Sequence, residues 1–177
     1  MSGIIAPLTK AFWEVCIFRR GPQDIPASGA LFALSMLCYL GATTGINLKI
    51  FPPATAMLLA GTEIGTLSLI TALLLSVLRY RPRIVQTITA ILGCGTLISL
   101  PVFALFALGS PVGGELKAPE LLARIMIFFW NVLLIAHIMR HALSTRFATG
   151  FAVAVIYVVI MGATISWIEI FARPPSL

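Results

Sequence analysis

Five long apolar runs, each about as long as a bilayer core is thick, constrain this chain more than anything else in it. They are Ala27–Leu48, Ala54–Leu78, Ile84–Leu108, Leu121–Met139 and Phe147–Phe171. A helix crossing the hydrocarbon needs about 20 apolar residues, and every run meets that length. The runs are continuous and lack the period-2 alternation of barrel strands, so helices are expected. Only 10% of the residues are charged, against about 25% in a soluble domain. Too little polar side chain exists to cover a soluble globule. The expected fold is an all-α integral membrane protein, a five-transmembrane-helix bundle. Residues 27–177 form that domain, and residues 1–26 precede it as a cytoplasmic segment.

The leading segment has its own pattern. Leu8, Phe12, Val15 and Cys16 recur at helical spacing over Ala6–Arg20, while Lys10, Glu14 and Arg20 take other faces. With Trp13 beside them, these residues suit a short amphipathic interfacial helix. Gly21-Pro22 reads as its stop. Pro26 is expected in the first turn of span one, with Asp24 near its cap. FRRGPQDIPAS is therefore an elbow between a surface helix and a spanning one. Its Arg19, Arg20, Gln23 and Asp24 make a candidate docking surface, and the two arginines attract anionic headgroups. The first long apolar run begins late and is too long for a signal core, so it is read as a retained span.

The basic residues set the orientation. Lys10, Arg19, Arg20, Arg79, Arg81, Arg83, Arg140 and Arg146 fall on one side of the predicted bundle. Lys49, Lys117, Arg173 and Arg124 fall on the other. The positive-inside rule then places the N-terminus in the cytoplasm and the C-terminus on the far side, the periplasm of a bacterial cell. The formal charge of +6 is thus a topology signal, and nucleic acid is not an expected partner. The expected partners are the bilayer itself and other membrane proteins or further copies of the chain.

Intramembrane charge is the sharpest chemical signal. Glu63 lies about 13 Å inside span two, counted from the outer edge at 1.5 Å per residue. A carboxylate there must be protonated, paired or hydrated. Arg124 enters from the same side on span four, and Glu169 ends span five. A polar cluster of Glu63 and Arg124, with Glu169 or Asn47 nearby, is expected. It serves either as an ion, proton or ligand site or as a packing pair. Gly41-x-x-x-Gly45 and Gly61-x-x-x-Gly65 flank one outer loop, predicting a tight hairpin of spans one and two, with a dimer interface as the alternative. His137 and His141 share a helical face, but no third ligand of the right type is near, so no metal is expected. Cys16, Cys38 and Cys94 form no C-x-x-C pair and read as small apolar residues. No phosphate loop, nucleophile elbow or catalytic dyad occurs, and no cofactor is implied.

Five spans behind a cytoplasmic lead-in, with FWEVCIFRRGPQDIPAS entering span one, resemble the Yip family of small five-span membrane proteins and its bacterial relatives. The resemblance covers the chain as a topology. It implies a non-enzymatic membrane organiser of bacterial inner-membrane type. A scaffold or accessory subunit of a membrane complex is the expected function. A small transporter or channel component using Glu63 and Arg124 is the alternative. Reporter fusions at the two termini check the topology. The N-terminal fusion is expected to report cytoplasm and the C-terminal fusion the opposite side; a cytoplasmic C-terminus would exclude the five-span arrangement.

Overall fold

The computed structural model describes residues 2–108 and 117–172, all of them in helices, tight turns or short connectors, with no strand among them. Six helices follow in order. α1 is Ser2–Cys16, α2 Gly29–Asn47, α3 Pro53–Val77, α4 Ile84–Leu108, α5 Ala118–Ala142 and α6 Phe147–Ala172. Single 3-10 turns, Pro22–Asp24 and Arg81–Arg83, precede α2 and α4. Helices α2 to α6 are long and apolar enough to cross a membrane. Large apolar side chains such as Leu37, Met57, Met126, Val159 and Ile170 point outward and are more than half exposed. Water would not tolerate such a surface and lipid requires it. The protein is an integral, multi-pass membrane protein.

The spans begin and end within three residues of the expected positions, because length and apolarity alone define them. Their caps differ from expectation. Ser28, not Asp24, caps α2, its hydroxyl accepting the Leu31 N–H at 3.4 Å. Asp24 instead accepts the Gly21 N–H and closes the 3-10 turn at the elbow. Helix α1 ends at Cys16 and not at Gly21-Pro22. Phe18, Arg79 and Ser144 take left-handed backbone angles and finish α1, α3 and α5. In each case the next N–H reaches back to the carbonyl five residues earlier: Arg19 to Glu14, Tyr80 to Leu75, Thr145 to Arg140. This is the Schellman closure, usually made by glycine. Three non-glycine residues make it here, which hid the helix ends from a search for glycine.

Helix α2 packs most extensively on α4, and α5 on α6. Helix α1 reaches deeper than a helix lying on the surface. Phe12, Val15 and Cys16 are buried, and the Phe12 ring lies against Gly93 of α4. The Cys94 thiol donates to the Phe12 carbonyl at 3.6 Å, and the Trp130 indole of α5 donates to the Cys16 carbonyl at 3.0 Å. Cys94 stands ten residues into α4, about 15 Å along it at 1.5 Å per residue. The C-terminal half of α1 is therefore wedged against α4 and α5 near mid-span.

The glycines that bring helices together are not the G-x-x-x-G pairs. A Cβ at Gly41, Gly45, Gly61 or Gly65 would meet nothing within 4 Å. The expected glycine-mediated hairpin of spans one and two is thus replaced by ordinary side-chain packing between α2 and α3. Close approach occurs instead at Gly93 against Phe12, at Gly95 against Tyr39, and at Gly150 against the Ala136 carbonyl of α5. Hydroxyls inside the spans are satisfied locally: Thr43, Thr87, Thr89, Thr96 and Ser99 each donate to the carbonyl four residues back.

This division of glycines is measurable. Gly150→Ala is expected to destabilise the detergent-solubilised protein by about 1–3 kcal/mol, since the new methyl meets α5 backbone. Gly61→Ala is expected to be neutral or to stabilise by up to about 1 kcal/mol through helix propensity. Thermal unfolding of the two variants checks both signs.

Candidate intramembrane polar site

Glu63 lies on α3 ten residues from Pro53, or about 15 Å along the helix axis. The same count places Tyr39 about 15 Å along α2 and Tyr157 about 15 Å along α6, each from its first residue. Neighbouring spans run in opposite directions, so these three meet at mid-depth. The Tyr39 hydroxyl donates to Glu63 Oε1 at 2.6 Å. Tyr39 can lie there because Gly95 offers no side chain to the ring. A tyrosine normally sits at the membrane interface with its hydroxyl in water. Here the hydroxyl is turned inward onto a carboxylate.

Two cavities meet at this pair. The smaller, about 50 Å³, is lined by Tyr39, Glu63, Gly95, Asn131 and Tyr157 among apolar neighbours. The larger, about 210 Å³, shares Tyr39, Glu63, Gly95 and Asn131. It adds Thr43, Asn47 and Ser99, and runs toward the C-terminal end of α2. That is the end of the bundle opposite Arg79, Arg81 and Arg83. Pro101 lies beside it in α4 and takes one N–H out of that helix's ladder. A carboxylate, a phenol and an amide around a space of this size can hold a small cation, a proton or a chain of waters.

The expected cluster is partly assembled. Glu63 and Asn47 line the same cavity. Arg124 does not join them. It pairs with Glu120 at 2.7 Å, one turn earlier on α5, and its guanidinium stacks on Phe106 of α4 at 4.5 Å. A partner four residues away on the same helix is already in place when α5 forms, and that proximity decides the pairing. The Glu63–Arg124 contact is therefore corrected to Glu63–Tyr39 and Arg124–Glu120. The Glu169 side chain lies outside the described residues. Tyr39 and Tyr157 were the missed members, while Asn131, a polar residue in mid-span, lines both cavities. The available signal was two tyrosines in the middle of spans, where the interfacial preference makes them out of place.

At the other end, the elbow is fixed to the bundle. Gln86 of α4 donates to the carbonyls of Gln23 and Ile25. Arg20 pairs with Glu14 at 2.8 Å, while its carbonyl meets His137 Nε2 at 2.8 Å. His137 also packs edge-on against Phe18 and His141. His137 thus anchors the elbow to α5. Arg19 is exposed, and Asp24 is engaged in its turn. Among the described residues no group of three His, Cys, Asp or Glu side chains could hold a metal ion. No protein-family model, curated protein or solved structure matches the chain.

Tyr39→Phe keeps the ring against Gly95 and removes only the hydroxyl. It is expected to cost about 0.6–1.7 kcal/mol, the range of hydrogen bonds between membrane helices. Combining it with Glu63→Gln in a double-mutant cycle in detergent checks the coupling; strictly additive losses would place the two groups apart.

Proposed function

We propose that this protein binds a small cation or a proton at Glu63 and serves as a component of a transporter or channel. One observation carries the reading: a carboxylate at mid-depth faces a cavity whose polar lining continues to one end of the bundle. A carboxylate in hydrocarbon is costly, and a purely structural pair would need no cavity of about 210 Å³ beside it. Under the positive-inside orientation the cavity opens away from the cytoplasm, toward the periplasm of a bacterial inner membrane. The reading needs no enzymatic step. A path through the whole membrane would be completed by further copies or by a partner subunit.

A second reading is the non-enzymatic scaffold or accessory subunit that the Yip-like topology implies. It is favoured by Gly61 and Gly65, which leave an exposed small-residue strip on α3. Such strips admit close approach by another membrane helix.

Cysteine accessibility and cation binding separate the two. Ser99→Cys in native membranes is expected to react with a membrane-impermeant charged maleimide added from the non-cytoplasmic side. Thermal unfolding of purified protein is expected to shift with at least one of lithium, sodium, potassium or tetramethylammonium, and Glu63→Gln is expected to abolish that shift. An unreactive Ser99→Cys, together with no difference between wild type and Glu63→Gln, would overturn the cation site and leave the scaffold.

A further inference from the structure

The arginine-rich end of the bundle carries a second cavity, independent of Glu63. It is about 390 Å³ and sits between the start of α4, the end of α5, the Pro22–Asp24 turn and the α5–α6 connection. That volume falls within the range of small-ligand pockets. Its lining includes Arg83, Gln86, Arg140, His141, Ser144 and Thr145, and no acidic side chain. Of the acids nearest in sequence, Glu14 pairs with Arg20, and Asp24 accepts the Gly21 N–H while its charge still reaches His141.

The two guanidiniums come from different helices and are held in place. Arg83 Nη1 donates to the His141 and Ala142 carbonyls at the end of α5 and to Ser144 Oγ at 2.7 Å. Arg140 is steadied by the Phe147 ring at 5.9 Å and by His141 Nε2 at 3.3 Å. Two permanent cations, three hydroxyls and a lining without carboxylates suit a phosphate group in particular, since guanidinium donors match its oxygens in pairs.

We infer that this cavity is a phosphate-binding site, filled either by the headgroup of an anionic phospholipid or by a soluble phosphate ester. Its position among helix ends at the basic face is the level at which headgroups lie. The site acts as a clasp. A phosphate held by Arg83 and Arg140 ties the start of α4 to the end of α5 and covers the elbow.

The test uses delipidated full-length protein in a neutral detergent, with binding read by native mass spectrometry and thermal unfolding. The probes are dioctanoyl phosphatidylglycerol, dioctanoyl phosphatidylcholine, glycerol 3-phosphate and inorganic phosphate. Saturable binding of phosphatidylglycerol over phosphatidylcholine assigns the site to lipid. Binding of glycerol 3-phosphate or inorganic phosphate without a lipid preference assigns it to a soluble ester. In either case Arg140→Gln is expected to weaken binding by about tenfold or more, the scale of one charge-assisted donor set. Arg140 also packs against α6, so Thr145→Asp provides a second variant. Thr145 is exposed and precedes α6, where an acidic residue favours the helix. Thr145→Asp is expected to fold normally and to reduce binding through repulsion. Equal binding by wild type and Thr145→Asp, or no saturable binding of any probe, would overturn the site.

Discussion

A helix bundle surrounded by lipid must satisfy every internal polar group with another part of itself, and the arrangement of this protein follows from that requirement. Span hydroxyls turn back onto their own helices. Arg124 takes the carboxylate one turn away. Glu63 has no such neighbour on α3, so a partner must come from another helix, and Tyr39 of α2 provides it. That contact depends in turn on Gly95, which lets the ring lie close against α4. Three helices are thereby placed around one hydrogen bond at mid-depth, and the cavities on either side are what remains when a large ring and a carboxylate share that space.

The two polar regions of the molecule differ in how they are built. The mid-depth site sets the Glu63 carboxylate of α3 among phenols, amides and hydroxyls from four other helices. The site at the helix ends is basic, formed by two guanidiniums, one of which also caps a helix. Arg83 illustrates the economy: its Nη1 neutralises the carbonyl end of α5, where helix dipole and orphan acceptors favour a cation. Orientation in the membrane, helix capping and the phosphate site would then rest on the same residues.

The fold was legible because span length and apolarity are local quantities. Each run could be judged without knowing its neighbours, and α2 to α6 appear within three residues of expectation. The site was half legible. Glu63 and Asn47 stand out as polar residues in greasy runs, and they do line one cavity. The pairing of Glu63 was not legible, because opposite charge suggested Arg124 while the choice was made by which helix faces which. The glycines failed for the same reason. Gly61 and Gly65 carry the familiar spacing but face outward, whereas Gly93, Gly95 and Gly150 carry no recognisable spacing and mark the true close approaches. Spacing within a helix says which residues share a face; only the bundle says what that face meets.

The wedged N-terminal helix has a consequence for how the chain is made. Its carbonyls at Phe12 and Cys16 are held by Cys94 and by Trp130, the latter 114 residues further along the chain. A membrane protein is delivered to the bilayer from its N-terminus onward. Helix α1 emerges before the third and fourth spans and so has no seat until they are in place; until then Phe12, Val15 and Cys16 lack the neighbours that bury them. An amphipathic helix can wait at the interface, since its apolar face rests in the lipid boundary. The surface character that the sequence of α1 advertises describes this interval, and the seat between α4 and α5 describes its end.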